Sequence, residues 1–137
     1  MKIQNVRHTA DLGLKLESRT LKKLFCDGVL GMSNILKGGI CQENVRFDKK
    51  IRIEIRSLDY TCLLIDFLSE ILSVSFSDKS VFCKVDILHL NEKHIIADII
   101  GTSIDRYDEE IKAVTYHEAH VRKNSKNNWE TNIIFDI

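Results

Sequence analysis

The feature that most constrains the fold is a change of hydrophobic period across Asp59. Upstream, Ile51, Ile53 and Ile55 alternate with Lys50, Arg52, Glu54 and Arg56, the period-two pattern of a strand with one buried face. Downstream, Tyr60, Leu63, Leu64, Phe67, Leu68, Ile71 and Leu72 recur at i, i+3 and i+4, which predicts a helix over about 60–75 with one apolar stripe. Asp59 is placed to cap it. A one-sided strand and a one-sided helix each need a partner surface, and the economical solution is to pack helix on sheet.

The remaining segments extend this pattern. Residues 2–8 and 12–17 read as strands joined by His8-Thr9-Ala10-Asp11, with Leu12, Leu14 and Leu16 on one face of the second. Leu21, Leu24, Phe25, Met32, Ile35 and Leu36 are spaced for a helix over about 20–36, capped by Thr20 and ended by Gly38-Gly39. Residues 80–90 and 94–100 read as a hairpin turning near Asn91-Glu92. Residues 110–122 and 128–136 read as another, turning in the polar stretch 124–128. The expected fold class is α+β: a two-layer sandwich in which two helices pack on a largely antiparallel sheet.

The chain has 137 residues and no proline, repeat or low-complexity linker, so a single domain over 1–137 is expected. Formal net charge is zero, which argues against an indiscriminate nucleic-acid binder. Cys26, Cys41, Cys62 and Cys83 form no Cys-x-x-Cys pair and sit in or beside apolar segments. They read as buried core thiols rather than zinc ligands. Neither a signal peptide nor an apolar run of membrane-spanning length is read in the sequence, and a reducing cytoplasm is the expected compartment.

Common catalytic signatures are missing. His117-Glu118-Ala119-His120 has the wrong spacing for a zinc-hydrolase helix, and on a strand its two histidines would point to opposite faces. Asp66 and Glu70 share one side of the second helix; they fit acid–base work, cation binding or a solvated face. Arg122, Lys123 and Lys126, with Trp129 beyond them, form a basic tip that fits RNA, an acidic partner or a solvated turn. Gly38-Gly39 follows a helix and is no phosphate loop.

The two ends of the chain carry a different kind of signal. In the last strand Asp136 points away from the face holding Trp129 and Phe135, and Ile137 follows it. A side-chain carboxylate beside a main-chain carboxylate is repulsive unless a cation holds the oxygens. Asp11 closes such a site if the first strands neighbour the last one. An ordinary frayed terminus is the alternative.

At these residues the sequence resembles the archease family. The matching segments are His8-Thr9-Ala10-Asp11-Leu12-Gly13-Leu14, Leu21 to Phe25, Leu63 to Leu72, Ile111-Lys112-Ala113-Val114-Thr115-Tyr116-His117, Trp129, and Ile134-Phe135-Asp136-Ile137. They run in the family's order along nearly the whole chain. Phe67 stands where the family often has Trp, and Thr102 follows Gly101 where an acid is frequent. The segment from Gly101 to Lys112 is short.

The resemblance implies an accessory protein, not an enzyme. It would assist a GTP-dependent RNA ligase that joins RNA 3′-phosphate or 2′,3′-cyclic phosphate ends to 5′-hydroxyl ends in tRNA splicing and RNA repair. It would promote guanylylation of the ligase and multiple turnover, meeting RNA only through the ligase and no membrane. The metal ligands implied are Asp11, Asp136 and the terminal carboxylate of Ile137. Calcium is the implied ion, and magnesium or manganese also suits oxygen ligands. Lys112 is the implied activating residue, and His8, His117 and Glu70 are expected to neighbour the site. Two other readings stand beside this one: a chaperone-like interaction module with a structural metal, and an independent metal-dependent phosphohydrolase.

Overall fold

The period switch at Asp59 is a boundary between two elements. The computed structural model describes residues 2–8 and 11–137, with Lys2 and residues 5–8 described by their backbone alone. Strand β3 runs Lys49–Arg56 and helix α2 runs Tyr60–Asp78. The Asp59 carboxylate accepts a hydrogen bond from the Cys62 N–H at 2.8 Å, an N-cap. Leu63, Leu64, Phe67, Leu68 and Ile71 of α2 are buried in the core. By length and mean hydropathy α2 is apolar enough to cross a membrane, the one such helix among the described residues, but its apolar stripe is taken up by the core.

Before these come β1 (Lys2–His8), β2 (Asp11–Ser18) and helix α1 (Leu21–Leu36). Thr20 caps α1 by accepting the Lys23 N–H at 3.1 Å. Past the end of α1, Gly39 takes a φ of 78°, a left-handed conformation that glycine adopts without strain. Gly31 lets α1 approach β2 closely: a Cβ there would lie 2.5 Å from a Leu14 methyl. After α2 follow β4 (Ser80–Asn91), β5 (His94–Ser103), β6 (Ala113–Thr115), β7 (Arg122–Lys123) and β8 (Trp129–Asp136).

All strand pairings are antiparallel, as an α+β chain with hairpin spacing should give. The strands divide into two sheets. One has the order β1-β2-β8-β6 with β7 also on β8, and the other the order β3-β5-β4. Helix α1 packs on β2 and β4, and α2 on β3, β4 and β6, so the helices tie the sheets together. The core joins Leu14, Leu16, Ile133 and Phe135 of the first sheet to Ile53, Phe82 and Ile99 of the second through both helices.

Three sequence expectations change. The strand expected over 110–122 is broken. Only 113–115 and 122–123 are extended, and a turn closes between them with the Ala119 N–H donating to the Tyr116 carbonyl at 3.1 Å. Glu118 there has a φ of 61°. His117 and His120 are therefore exposed groups around a turn, not opposite faces of a strand. The second helix runs about three residues further than expected, to Asp78.

The cysteines differ as well. Cys26 and Cys62 are free thiols, but Cys41 and Cys83 form a disulfide with Cα atoms 5.3 Å apart. The 3-10 turn Ile40–Gln42 after α1 brings Cys41 onto β4. A sequence separation of 42 gives no local hint of that contact. Cysteine usage consequently no longer points to a reducing compartment.

Candidate functional site

β2 and β8 are neighbours, and their register sets Asp11 directly opposite Asp136. The same row continues to His8 of β1 on one side and Ala113 of β6 on the other. Alternation then decides the face. Leu12, Leu14, Ile133 and Phe135 point into the core, so Asp11 and Asp136 share the outer face. Directly opposed residues have Cβ atoms about 4.5–5.5 Å apart, where like charges are unfavourable.

Burial sharpens this. Asp136 is exposed, whereas Asp11 is half-buried and its Oδ1 is shut off from solvent with no hydrogen-bond partner among the described residues. A buried carboxylate oxygen without a donor is costly. A divalent cation bound between the two aspartates would supply the missing positive charge, so the donor set fits a hard, oxygen-preferring ion. Among the described residues no group of three or more His, Cys, Asp or Glu side chains comes together. Among the described residues the other buried side-chain polar atom without a partner is the neutral Ser80 hydroxyl.

Several carboxylates elsewhere have partners within the protein. Asp27, fully buried on α1, accepts from the Ser18 hydroxyl at 2.6 Å and pairs with Lys23 at 3.1 Å. Asp98 is gripped bidentately by Arg52 at 2.8 and 3.1 Å, which holds its carboxyl below the ordinary range. The Ser103 hydroxyl and N–H do the same for Asp48. Glu17 accepts two amide hydrogen bonds, from Asn124 at 2.8 Å and Asn128 at 2.9 Å.

The expected neighbours are placed unevenly. The Lys112 N–H donates to the Asp136 carbonyl at 2.7 Å, so its backbone is clasped to the acid pair. Lys112 itself is exposed and lines a cavity of about 320 Å³ with Ser69, Leu72, Ser73, Phe76, Ala113 and Val114. The side chain of Ile137 packs against the core. His8 ends β1 opposite Asp11, but its side chain lies outside the described residues, as do Thr9 and Ala10. Glu70 on α2 and His117 in its turn are exposed and join no ligand cluster with the aspartates among the described residues.

Asp66 has a structural partner that spacing did not suggest. It accepts hydrogen bonds from the Ser57 hydroxyl at 2.8 Å and from the Tyr116 hydroxyl. The bond to Asp66 pushes the Tyr116 phenol up to about 12 although the ring is 57% exposed. Thr61 accepts the Val121 N–H at 2.9 Å. Together these contacts pin the turn after β6 onto α2. At the basic tip, Arg122 lies 3.9 Å from Glu130 and Lys123 sits over the Trp129 ring at 5.4 Å. Two of its three cations are thereby engaged within the protein.

Comparison with known proteins adds to this geometry. The model of the Archease protein family (MTH1598/TM1083) matches residues 4–137. Protein archease of Methanosarcina acetivorans is 30% identical over 146 residues, covering 99% of this chain and 96% of that one. Protein archease of Methanosarcina barkeri is 29% identical, covering 95% and 92%. The solution structure of Methanobacterium thermoautotrophicum protein 1598 superposes with a TM-score of 0.79 at 25% identity, covering 98% of each chain. A crystal structure from Thermotoga maritima, described as an archease and possible chaperone, has a TM-score of 0.61 at 19% identity, covering 100% and 98%. At that identity it speaks for the fold alone.

Proposed function

The chain belongs to the archease family, and from that premise we propose that it is an accessory protein that activates a GTP-dependent RNA ligase. It promotes guanylylation and multiple turnover of the enzyme that joins RNA 3′-phosphate ends to 5′-hydroxyl ends, in tRNA splicing or RNA repair. It is not itself the catalyst.

The observation that carries the reading is the buried Oδ1 of Asp11, without a partner among the described residues, on a residue in register with Asp136. Asp11 and Asp136 hold a divalent cation, calcium first among the candidates, with the main-chain carboxylate of Ile137 as the family's third donor. Such an ion supplies positive charge where a triphosphate is being attacked. The chain's own residues do the positioning. β2 and β8 fix the two carboxylates through their register. The Lys112–Asp136 backbone hydrogen bond holds the Lys112 main chain next to Asp136, and its exposed side chain, beside α2, meets a phosphate or an acidic group of the ligase. His8, at the end of β1 in the same row, is a further candidate neighbour.

Single-turnover guanylylation of the cognate ligase, with and without this protein, tests the proposal. Wild type is expected to accelerate the step by more than about tenfold, the size of effect one well-placed charge supplies, and Asp136→Ala to abolish that acceleration. An unchanged rate with wild type, or full stimulation by Asp136→Ala, contradicts it. Hydrolysis of a phosphoester by the protein alone would favour an independent hydrolase.

A further inference from the structure

We propose that the groove between α2 and the β6 edge is a docking site for a protein segment carrying an acidic side chain next to an apolar one. The inference rests on the functional reading above in taking the ligase as the protein that supplies this segment.

One wall is built from Ser69, Leu72, Ser73 and Phe76, at i, i+3, i+4 and i+7 of α2, a single stripe along the helix. The other is Lys112, Ala113 and Val114, where β6 ends its sheet with no further strand beside it among the described residues. The volume of this open groove, about 320 Å³, is enough for one or two side chains rather than a folded surface. Phe76 is 38% exposed yet is held in place, its ring edge-on to Tyr107 at 5.2 Å. The Tyr107 hydroxyl in turn donates to the Ser75 carbonyl at 2.6 Å. A wall fixed before binding lowers the entropy cost of docking.

The chemistry of the lining selects the occupant. Lys112 is the one charged residue among the lining residues, and Ser69 and Ser73 add two hydroxyls. That set suits a single carboxylate. Leu72, Phe76 and Val114 suit an aliphatic or aromatic neighbour. A nucleic-acid strand presents a phosphate at every residue and needs a run of cations, which a lining with one lysine in a chain of zero net charge does not offer. Ala113 pairs with Asp136, so a segment beside β6 lies about two strand spacings, ~10 Å, from Asp136. Docking there would bring the ligase against the two aspartates.

The test uses purified ligase as the probe and measures its affinity for wild type, Lys112→Glu, Ser73→Trp and Lys126→Ala. Ser73 is exposed on a helix, so Trp there fills the groove without entering the core, and equal melting temperatures verify the fold of each variant. Lys112→Glu and Ser73→Trp are each expected to weaken binding about tenfold or more, as loss of a central contact does. Lys126→Ala, on the distant turn, should bind as wild type. Should wild type stimulate the ligase while both groove variants bind unchanged, the groove is not the docking site and the functional reading survives. Should wild type neither bind nor stimulate it, both fall. Equal weakening by Lys126→Ala would point to general charge attraction and overturn the proposal. So would Lys112-dependent binding of a single-stranded RNA oligonucleotide by the free protein.

Discussion

β2 and β8 carry two acidic cross-strand pairs on the same outer face, Asp11 with Asp136 at one end and Glu17 with Glu130 at the other. Like charges set directly opposite each other destabilise a sheet, so both pairs need compensation. The glutamates receive it from the protein. Asn124 and Asn128 both donate to Glu17 from the turn before β8, and Arg122 faces Glu130. The aspartates receive none of this kind among the described residues, and one buried oxygen of Asp11 is left without a donor. Two pairs in the same strands and the same register therefore differ: among the described residues, one is compensated by the fold and the other is not. That contrast, more than the presence of acids, marks the site.

The largest effect should come from undoing the compensated pair. Removing both amide donors with Asn124→Ala and Asn128→Ala takes two hydrogen bonds from Glu17, opposite Glu130, and loosens a turn that Asn124 also closes through its side-chain Oδ1. A loss of about 2–3 kcal/mol in urea unfolding is expected, from two hydrogen bonds to a charged, half-buried group. An unchanged midpoint would mean the two pairs do not differ in the way described. A smaller effect of opposite sign should follow at the uncompensated pair. In chelator, Asp136→Asn relieves repulsion with Asp11 and should raise stability by up to about 1 kcal/mol. A destabilised Asp136→Asn protein in chelator would show that the aspartates are already satisfied from within.

How much of this could be read from the sequence follows from the range of each interaction. Period alone located β3 and α2, and the caps at Thr20 and Asp59 are local chemistry. Alternation in the last strand turned Asp136 away from the face of Trp129 and Phe135, as found. It could not say that β2 lies beside β8, on which the Asp11–Asp136 pair depends; the family resemblance pointed there, and register supplied the geometry.

Contacts between distant segments left no period. The Cys41–Cys83 bond, the grip of Asp66 on Tyr116 and the groove between α2 and β6 each join segments far apart in the chain. The segment 110–122 was misread as one strand because its apolar residues suit an extended chain, while tertiary contacts from Asp66 and Thr61 fold its middle into a turn. The division into two sheets escaped for a related reason: one-sided strands state that a face is buried, not which sheet they join.

The most direct test is thermal melting of the wild-type protein and Asp11→Asn with and without calcium, then with magnesium and manganese. At a hundredfold excess over its dissociation constant, a bound ion should stabilise wild type by about 2.7 kcal/mol. That corresponds to a rise of roughly 5–10 °C for a chain of this size, and Asp11→Asn should show no rise. An equal rise in both proteins, or none in wild type with any of the three ions, would contradict the claim that the uncompensated aspartate pair is completed by a divalent cation.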